Sequence, residues 1–159
     1  MTMLEHLGRV VLPAAYGLLP NVMNTRAATV LLLAIALQES KCEHRRQVNG
    51  PARGFWQFEH GGGVFGVMVH KDSAAIMAGV LKTLRYTPDD SREAYAAIEH
   101  NDTLAAVFAR LLLWTDPAPL PSVGEADRSW DYYRRNWRPG RPHEENWRNN
   151  YAEAMAVLL

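Results

Sequence analysis

Glu39 is the side chain in this sequence best placed for acid–base chemistry. It follows an apolar run from Ala27 to Leu37 that only one threonine interrupts, and it shares a helical face with Leu32 and Ile35. Removal from water beside aliphatic side chains favours the protonated carboxyl group. A carboxyl that stays protonated near neutral pH can donate a proton to a glycosidic oxygen. An ordinary glutamate at the exposed end of a buried helix fits the same pattern, so helical geometry leaves both interpretations open.

Two short motifs in the right order add to this pattern. The first is Gln38-Glu39-Ser40, and the second is Gly50-Pro-Ala-Arg-Gly54-Phe-Trp-Gln57. Together they resemble the catalytic domain of soluble lytic transglycosylases, which have the lysozyme fold. In that family an apolar helix ends in Glu-Ser, and a Gly-Ala-x-Gly-(apolar)-(apolar)-Gln segment lines the cleft. The resemblance covers residues 25 to 60 well and the rest only in outline, with one extra residue between Gly50 and Ala52.

The resemblance implies a role for each matching residue. Glu39 would be the general acid and then the base, Ser40 would contact the reacting sugar, and the segment from Gly54 to Gln57 would line the cleft. Trp56, where the family usually has methionine, is predicted to stack on a sugar ring. The family's later Tyr-Asn motif has no plain counterpart, and Tyr133 is the residue predicted to take its place. The Trp-Arg-Pro-Gly segment ending at Gly140 resembles lysozyme-like proteins of phages and prophages.

The implied activity is cleavage of the bond between N-acetylmuramic acid and N-acetylglucosamine in peptidoglycan. A lytic transglycosylase needs one carboxyl, because the 6-hydroxyl of the sugar itself attacks and gives a 1,6-anhydro product. A hydrolytic muramidase of the usual kind needs a second carboxylate, for which Glu59, Asp72 and Glu43 are the local candidates. A lysozyme-like module that binds glycan or builds a virion without cleaving is the third alternative.

The elements around these residues are predicted to be mainly helical, in a single lysozyme-like domain over residues 1–159. Only residues 43 to 66, rich in glycine and aromatic residues, favour short strands or an ordered loop, which would flank a cleft. Pro13 is predicted to break or kink the first helix. The helix boundaries predicted from periodicity and capping residues are 4–19, 24–40, 72–86, 88–100, 102–114 and 122–137, followed by a last helix from Trp147.

Composition excludes several classes of partner. The chain has 17 basic and 17 acidic residues, whereas a protein held by the phosphates of nucleic acid normally has a basic excess. The neutral sum covers an acidic middle over residues 85 to 127 between two basic segments. The 11-residue apolar run is too short to span a bilayer, which takes roughly 20 residues. We therefore expect a monomer that binds peptidoglycan strands, with no nucleic-acid partner and no integral membrane segment.

The remaining features predict no metal or other cofactor. One cysteine, Cys42, excludes a four-cysteine zinc site, and its spacing from the nearby histidines matches no standard metal pattern. The arginine-rich end of the chain comprises Arg134, Arg135, Arg138, Arg141 and Arg148. These arginines are predicted to pair with Asp131, Glu144 and Glu145 on a helical hairpin, although they could also contact an anionic polymer. The opening residues lack the features of a secretory signal, which predicts synthesis in the cytoplasm and action on the wall after release or as part of a virion.

Overall fold

The computed structural model describes all 159 residues, and 63% of them are helical. The mainly helical class predicted from periodicity is therefore correct. Of the two alternatives predicted for residues 43–66, short strands are absent, since only two isolated bridges form, Arg46 to Arg53 and Arg53 to Phe58. Residues 43–59 form an ordered loop, and helical conformation begins at His60. The nine α-helices are α1 Met3–His6, α2 Leu12–Gly17, α3 Arg26–Ser40, α4 Phe65–Val69, α5 Ala74–Thr83, α6 Ser91–Ile98, α7 Asp102–Thr115, α8 Ala126–Trp137 and α9 Trp147–Ala156.

Helix α3 is the centre of the fold. Nine consecutive residues, from Ala28 to Ala36, are buried, which is the pattern expected of a helix covered on every side. The helix packs chiefly against α9 and also contacts α7. Thr25, one residue after the predicted cap Asn24, is the true N-cap, and its hydroxyl accepts a hydrogen bond from the Ala28 N–H at 3.1 Å. The helix ends at Ser40, and the next residue, Lys41, caps it with a left-handed φ of 55°.

The N-terminal segment stays helical through Pro13. A π-helical turn over Leu7–Val11 joins α1 to α2, and helical conformation continues to Gly17. Pro13 lies at the second residue of α2, within the first turn, where a proline's missing N–H removes no bond from that helix. Gly8 in the π-helical turn permits close packing, since a Cβ atom there would lie 2.8 Å from Val157 near the C-terminus. Of the break or kink predicted at Pro13, the break is absent, because helical conformation continues past this residue.

Two of the later helices, α6 and α7, begin at a side-chain cap. The helix predicted from residue 88 begins at Ser91, where the Asp90 carboxylate accepts hydrogen bonds from the N–H groups of Arg92 and Glu93. Helix α7 begins at Asp102 as predicted, with Asn101 as its cap. The Glu125 carboxylate accepts a hydrogen bond from the Ser122 N–H at 2.7 Å, just before α8. No single helix has both the length and the apolar character needed to cross a membrane.

Candidate active site

Glu39 lies in the last turn of α3, where the buried part of the helix meets the surface. Its side chain is half-buried, and its Oε1 accepts a hydrogen bond from the Tyr133 hydroxyl at 2.6 Å. Burial raises the pKa of Glu39 to about 7, and the Tyr133 hydrogen bond opposes that rise because it stabilises the carboxylate. Near pH 7 the group is therefore divided between its acid and base forms, as acid–base catalysis requires.

Tyr133 reaches Glu39 from α8 and is held there by other aromatic rings. Its ring is 1% exposed and stacks on Trp147, with centroids 5.3 Å apart and planes 10° from parallel. The rings of Trp130 and Trp137 lie 5.5 and 6.2 Å away. Burial is the main cause that raises the pKa of the Tyr133 hydroxyl above its ordinary value, so the group stays protonated and donates. The predicted site residues Glu39 and Tyr133 thus lie together.

Replacement of Tyr133 by phenylalanine should move the protonation of Glu39 to higher pH. The variant removes a donor that stabilises the charged carboxylate, so we expect the pKa of Glu39 to rise by about one unit, the equivalent of one hydrogen bond. NMR titration of the Glu39 side-chain carboxyl carbon would measure the change. An unchanged or lowered pKa in a folded variant would contradict this role. The control Tyr95→Phe removes a hydroxyl that donates to the Pro51 carbonyl and not to Glu39, so it should leave the pKa of Glu39 unchanged.

Ser40 does not face an open cleft, contrary to the sugar contact predicted for it. The residue is 4% exposed, and its hydroxyl lies 3.0 Å from the Ala36 carbonyl and 2.8 Å from the Phe55 carbonyl. The same oxygen accepts a hydrogen bond from the Cys42 N–H. Backbone partners therefore occupy the hydroxyl, which connects the end of α3 to the backbone of Phe55. The predicted sugar-binding role of Ser40 needs correction to a structural one.

The Ser40→Ala variant should lose stability and leave any sugar contact unchanged. Truncation leaves the Cys42 N–H and the Phe55 carbonyl without their buried partner, and we expect the free energy of unfolding to fall by about 1–3 kcal/mol. Chemical denaturation would measure the loss. A variant as stable as the wild type but with weaker glycan binding would restore the predicted role, and Ser122→Ala at an exposed position is the control.

The segment from Gly54 to Gln57 forms a tight turn under α6 and α7. Gly54 has φ 75°, and a Cβ atom there would lie 2.7 Å from Ile98 Cγ2, so only glycine fits without a shift. Its carbonyl accepts hydrogen bonds from both the backbone N–H and the side-chain amide of Gln57. Gly54 is buried and shapes the turn, which corrects its predicted place on the cleft surface, whereas Gln57 lines a groove.

Trp56 is a core residue and not a stacking platform. Its side chain is completely buried, and its indole N–H donates to the Leu32 carbonyl of α3 at 2.8 Å. No sugar ring can reach it in this fold, so the predicted substrate contact at Trp56 is wrong. Trp137, in contrast, is half-buried and lines the groove beside Gln57, and its indole N–H donates to the Trp56 carbonyl. Its position at the end of α8, between polar residues, was the available signal.

The groove has a volume of about 460 Å³ and lies between the glycine-rich segment from Gly61 to Gly66 and the end of α8. The side chains that give it polar and charged groups are Gln57, Glu59, Asn136 and Arg138. Glu39 is not among the lining residues, and its connection to the groove runs through Tyr133, whose ring contacts that of Trp137. The predicted residues thus divide between this groove, the Glu39 pair and the core.

Two arginines of the arginine-rich end form ion pairs with carboxylates other than the predicted ones. Arg148 pairs with Asp127 at 3.0 Å, and Arg135 pairs with Asp116 at 2.6 Å. Asp127 lies in α8 and Asp116 directly follows α7, so these ion pairs join elements that are remote in sequence. Arg138 makes no ion pair and faces the groove.

Two other sets of candidate groups are the metal-binding types of side chain and the single thiol. No cluster of three or more His, Cys, Asp or Glu side chains is arranged to hold a metal ion. Cys42 is buried, and desolvation raises the pKa of its thiol to about 12, so it is not a thiolate nucleophile near neutral pH.

Comparison with known proteins identifies no relative. No protein-family model, no curated protein and no solved structure matches this chain. The chemistry of the Glu39 pair and the neighbouring groove therefore has to support any functional assignment.

Proposed function

We propose that this protein is a peptidoglycan-cleaving glycosidase of the lysozyme-like, lytic transglycosylase type. The bond cleaved would be the β-1,4 bond between N-acetylmuramic acid and N-acetylglucosamine, with Glu39 as the general acid and then the base. The observation that carries the proposal is a half-buried carboxyl at the end of the central helix, with its pKa raised to about 7 and a tyrosine hydroxyl 2.6 Å away.

The proposed reaction needs only this carboxyl. Protonated Glu39 donates its proton to the glycosidic oxygen as the bond to C1 breaks. The 6-hydroxyl of the muramic acid residue then attacks C1, and its proton returns to the Glu39 carboxylate. The product is a 1,6-anhydro sugar, and the enzyme ends in its starting protonation state. Tyr133 supports this cycle because its hydrogen bond stabilises the carboxylate that forms midway.

The adjacent groove supplies groups suited to a glycan. Amide side chains of Gln57 and Asn136 can bond hydroxyl and acetamido groups, and the Trp137 ring offers a stacking surface. Arg138 matches the anionic lactyl and peptide groups of peptidoglycan. Because Glu39 does not line the groove, the proposal requires the Tyr133 and Trp137 rings to shift when a glycan binds.

A hydrolytic muramidase is the second candidate, and the position of Glu59 favours it. Of the three local carboxylates, only the exposed Glu59 lines the groove. Asp72 lines a different cavity, and the exposed Glu43 side chain contacts His44. A second carboxylate in the groove could activate a water molecule, which a hydrolase of the usual kind needs.

A non-catalytic glycan-binding or virion module is the third candidate. It is favoured by the separation of Glu39 from the groove and by the burial of Ser40 and Trp56, which leaves two predicted sugar contacts inaccessible. Such a module would bind glycan through Trp137 and Arg138 without cleaving it.

Digestion of purified bacterial sacculi, with mass spectrometry of the soluble fragments, tests all three candidates. Fragments with 1,6-anhydro ends would support the transglycosylase, whereas reducing ends that disappear in Glu59→Gln would support the muramidase. Sacculus binding without fragments would support the non-catalytic module. The proposal fails if wild-type protein releases nothing, or if Glu39→Gln releases as much as the wild type and as the control Glu153→Gln.

A further inference from the structure

Arg110 of α7 is a buried cation without a counter-charge. The residue is 2% exposed and forms no ion pair. Its Nε donates to the Met23 carbonyl at 2.9 Å, while its Nη1 is buried and has no hydrogen-bond partner. A charged donor left unpaired in the interior is strongly unfavourable, and burial accordingly lowers the pKa of this guanidinium. The enclosed Nη1 is out of reach of an external acceptor, but an anion placed against the guanidinium from the adjoining cavity would supply the missing counter-charge.

Arg110 lines a cavity of about 670 Å³, which we call the Arg110 cavity. The first turn of α3 also lines it, through Thr25 and Ala27. The leading N–H groups of a helix have no acceptor inside the helix and carry a partial positive charge, and α3 is 15 residues long. A buried guanidinium and a helix N-terminus therefore meet at one cavity, which is the environment of an anion site.

The rest of the lining selects the kind of anion. Trp114 is 37% exposed and lies beside Arg110, with the guanidinium carbon 5.7 Å from the ring centroid. The proline-rich residues 117–120 complete an apolar wall. Asp72 and Asp116 also face the cavity, and Asp116 is paired with Arg135. These carboxylates disfavour a dianion such as phosphate more than a singly charged group.

We propose that the Arg110 cavity binds a small monocarboxylate with a flat apolar body. The carboxylate contacts the Arg110 guanidinium and the first turn of α3, and the apolar body lies against Trp114. Ala27 and Glu39 are twelve residues apart on one helix, a separation of about 18 Å at 1.5 Å per residue. The site is therefore distinct from the Glu39 pair and does not depend on the proposed glycosidase activity.

Titration of the full chain with sodium benzoate, at constant ionic strength, tests this site. The NMR signal of the Trp114 indole N–H, assigned with Trp114→Phe, reports binding. Parallel titrations use benzamide, a neutral molecule of the same shape, and inorganic phosphate. We expect benzoate to bind at least tenfold more tightly than either. Equal affinity for benzamide would indicate an apolar pocket only, and equal affinity for phosphate a general anion site, and both results overturn the proposal.

Variants place the binding at the cavity. Arg110→Met should reduce benzoate affinity at least tenfold, and it should fold because methionine removes an unpaired buried charge at similar volume. Ala27 is partly exposed and lines the cavity, so Ala27→Leu places a larger side chain in the cavity while Arg110 is kept. This variant should reduce benzoate affinity to a similar extent. The exposed control Arg141→Met should bind benzoate as the wild type does. Unchanged affinity in either cavity variant overturns the proposal, and Ala27→Leu decides alone if Arg110→Met does not fold.

Discussion

The Glu39→Gln variant should lose cleavage of sacculi and gain stability at neutral pH. Removal of a general acid and base lowers a rate by about 10²- to 10⁴-fold, and glutamine cannot exchange the proton that the reaction needs. The amide oxygen of glutamine still accepts the hydrogen bond from Tyr133. The fold should therefore survive, and the loss of activity would reflect chemistry and not unfolding.

The stability gain follows from the raised pKa of Glu39. The pKa of Glu39 is about 7 in the folded protein, against an ordinary glutamate value of 4.5, so between these values the folded state binds more protons than the unfolded state. The free energy of unfolding of the wild type therefore falls as pH rises from about 4.5 to 7. The difference amounts to roughly 3 kcal/mol above pH 7, at 1.36 kcal/mol per unit. Glutamine lacks this titration.

Denaturation of both proteins between pH 4 and pH 8 would measure this effect. We expect similar stability at pH 4 and a variant more stable than the wild type at pH 8, while the exposed control Glu153→Gln should follow the wild type throughout. A constant difference across this range would show that the pKa of Glu39 is not raised. Cleavage of sacculi by the wild type should fall as pH rises through about 7, because the acid form of Glu39 is lost.

The Trp56→Ala variant should cost the protein much of its stability. The side chain is completely buried, and its indole N–H donates to the Leu32 carbonyl of α3. Truncation of a buried tryptophan to alanine costs about 3–5 kcal/mol through lost apolar contact and the cavity left behind. Domains of this size have about 5–15 kcal/mol in total, so the variant should be marginally folded.

Chemical denaturation of Trp56→Ala and Trp56→Phe would separate a core role from a glycan-binding role. Phenylalanine keeps most of the apolar volume and loses the N–H donor, so we expect a smaller loss of about 1–2 kcal/mol. Trp114→Ala, at a tryptophan that is 37% exposed, is the matched control and should cost less. A stable Trp56→Ala protein with weakened glycan binding would contradict the core assignment.

The helical segments could be predicted because their signals are local. An apolar run predicts α3, and side chains such as Asp90 and Asn101 mark helix starts within a few residues. For residues 43–66 the sequence leaves short strands and an ordered loop both open, because glycine and aromatic residues suit both. In the structure, left-handed residues such as Gly54 and Gln57 turn the chain too often for a strand to extend.

The candidate site could be predicted only in part. The sequence predicts the partial burial of Glu39, because the apolar run before it indicates a buried helix end. For Trp56 the sequence does not decide, because a tryptophan bounded by glycines suits a cleft wall as well as a core. In the structure its indole N–H donates to the buried Leu32 carbonyl. The role of Ser40 likewise depended on the Phe55 carbonyl, which spacing along the chain does not reveal.

By itself, then, the sequence determined a mainly helical chain with a carboxyl at the end of its central helix, since periodicity and capping act within a few residues. Only the tertiary structure decided that Tyr133 donates to Glu39, because the two are 94 residues apart and meet through the packing of α8 against the rest of the fold. The same holds for Arg110 at the first turn of α3. Contacts of this range depend on how helices pack, and no pattern along the chain specifies them.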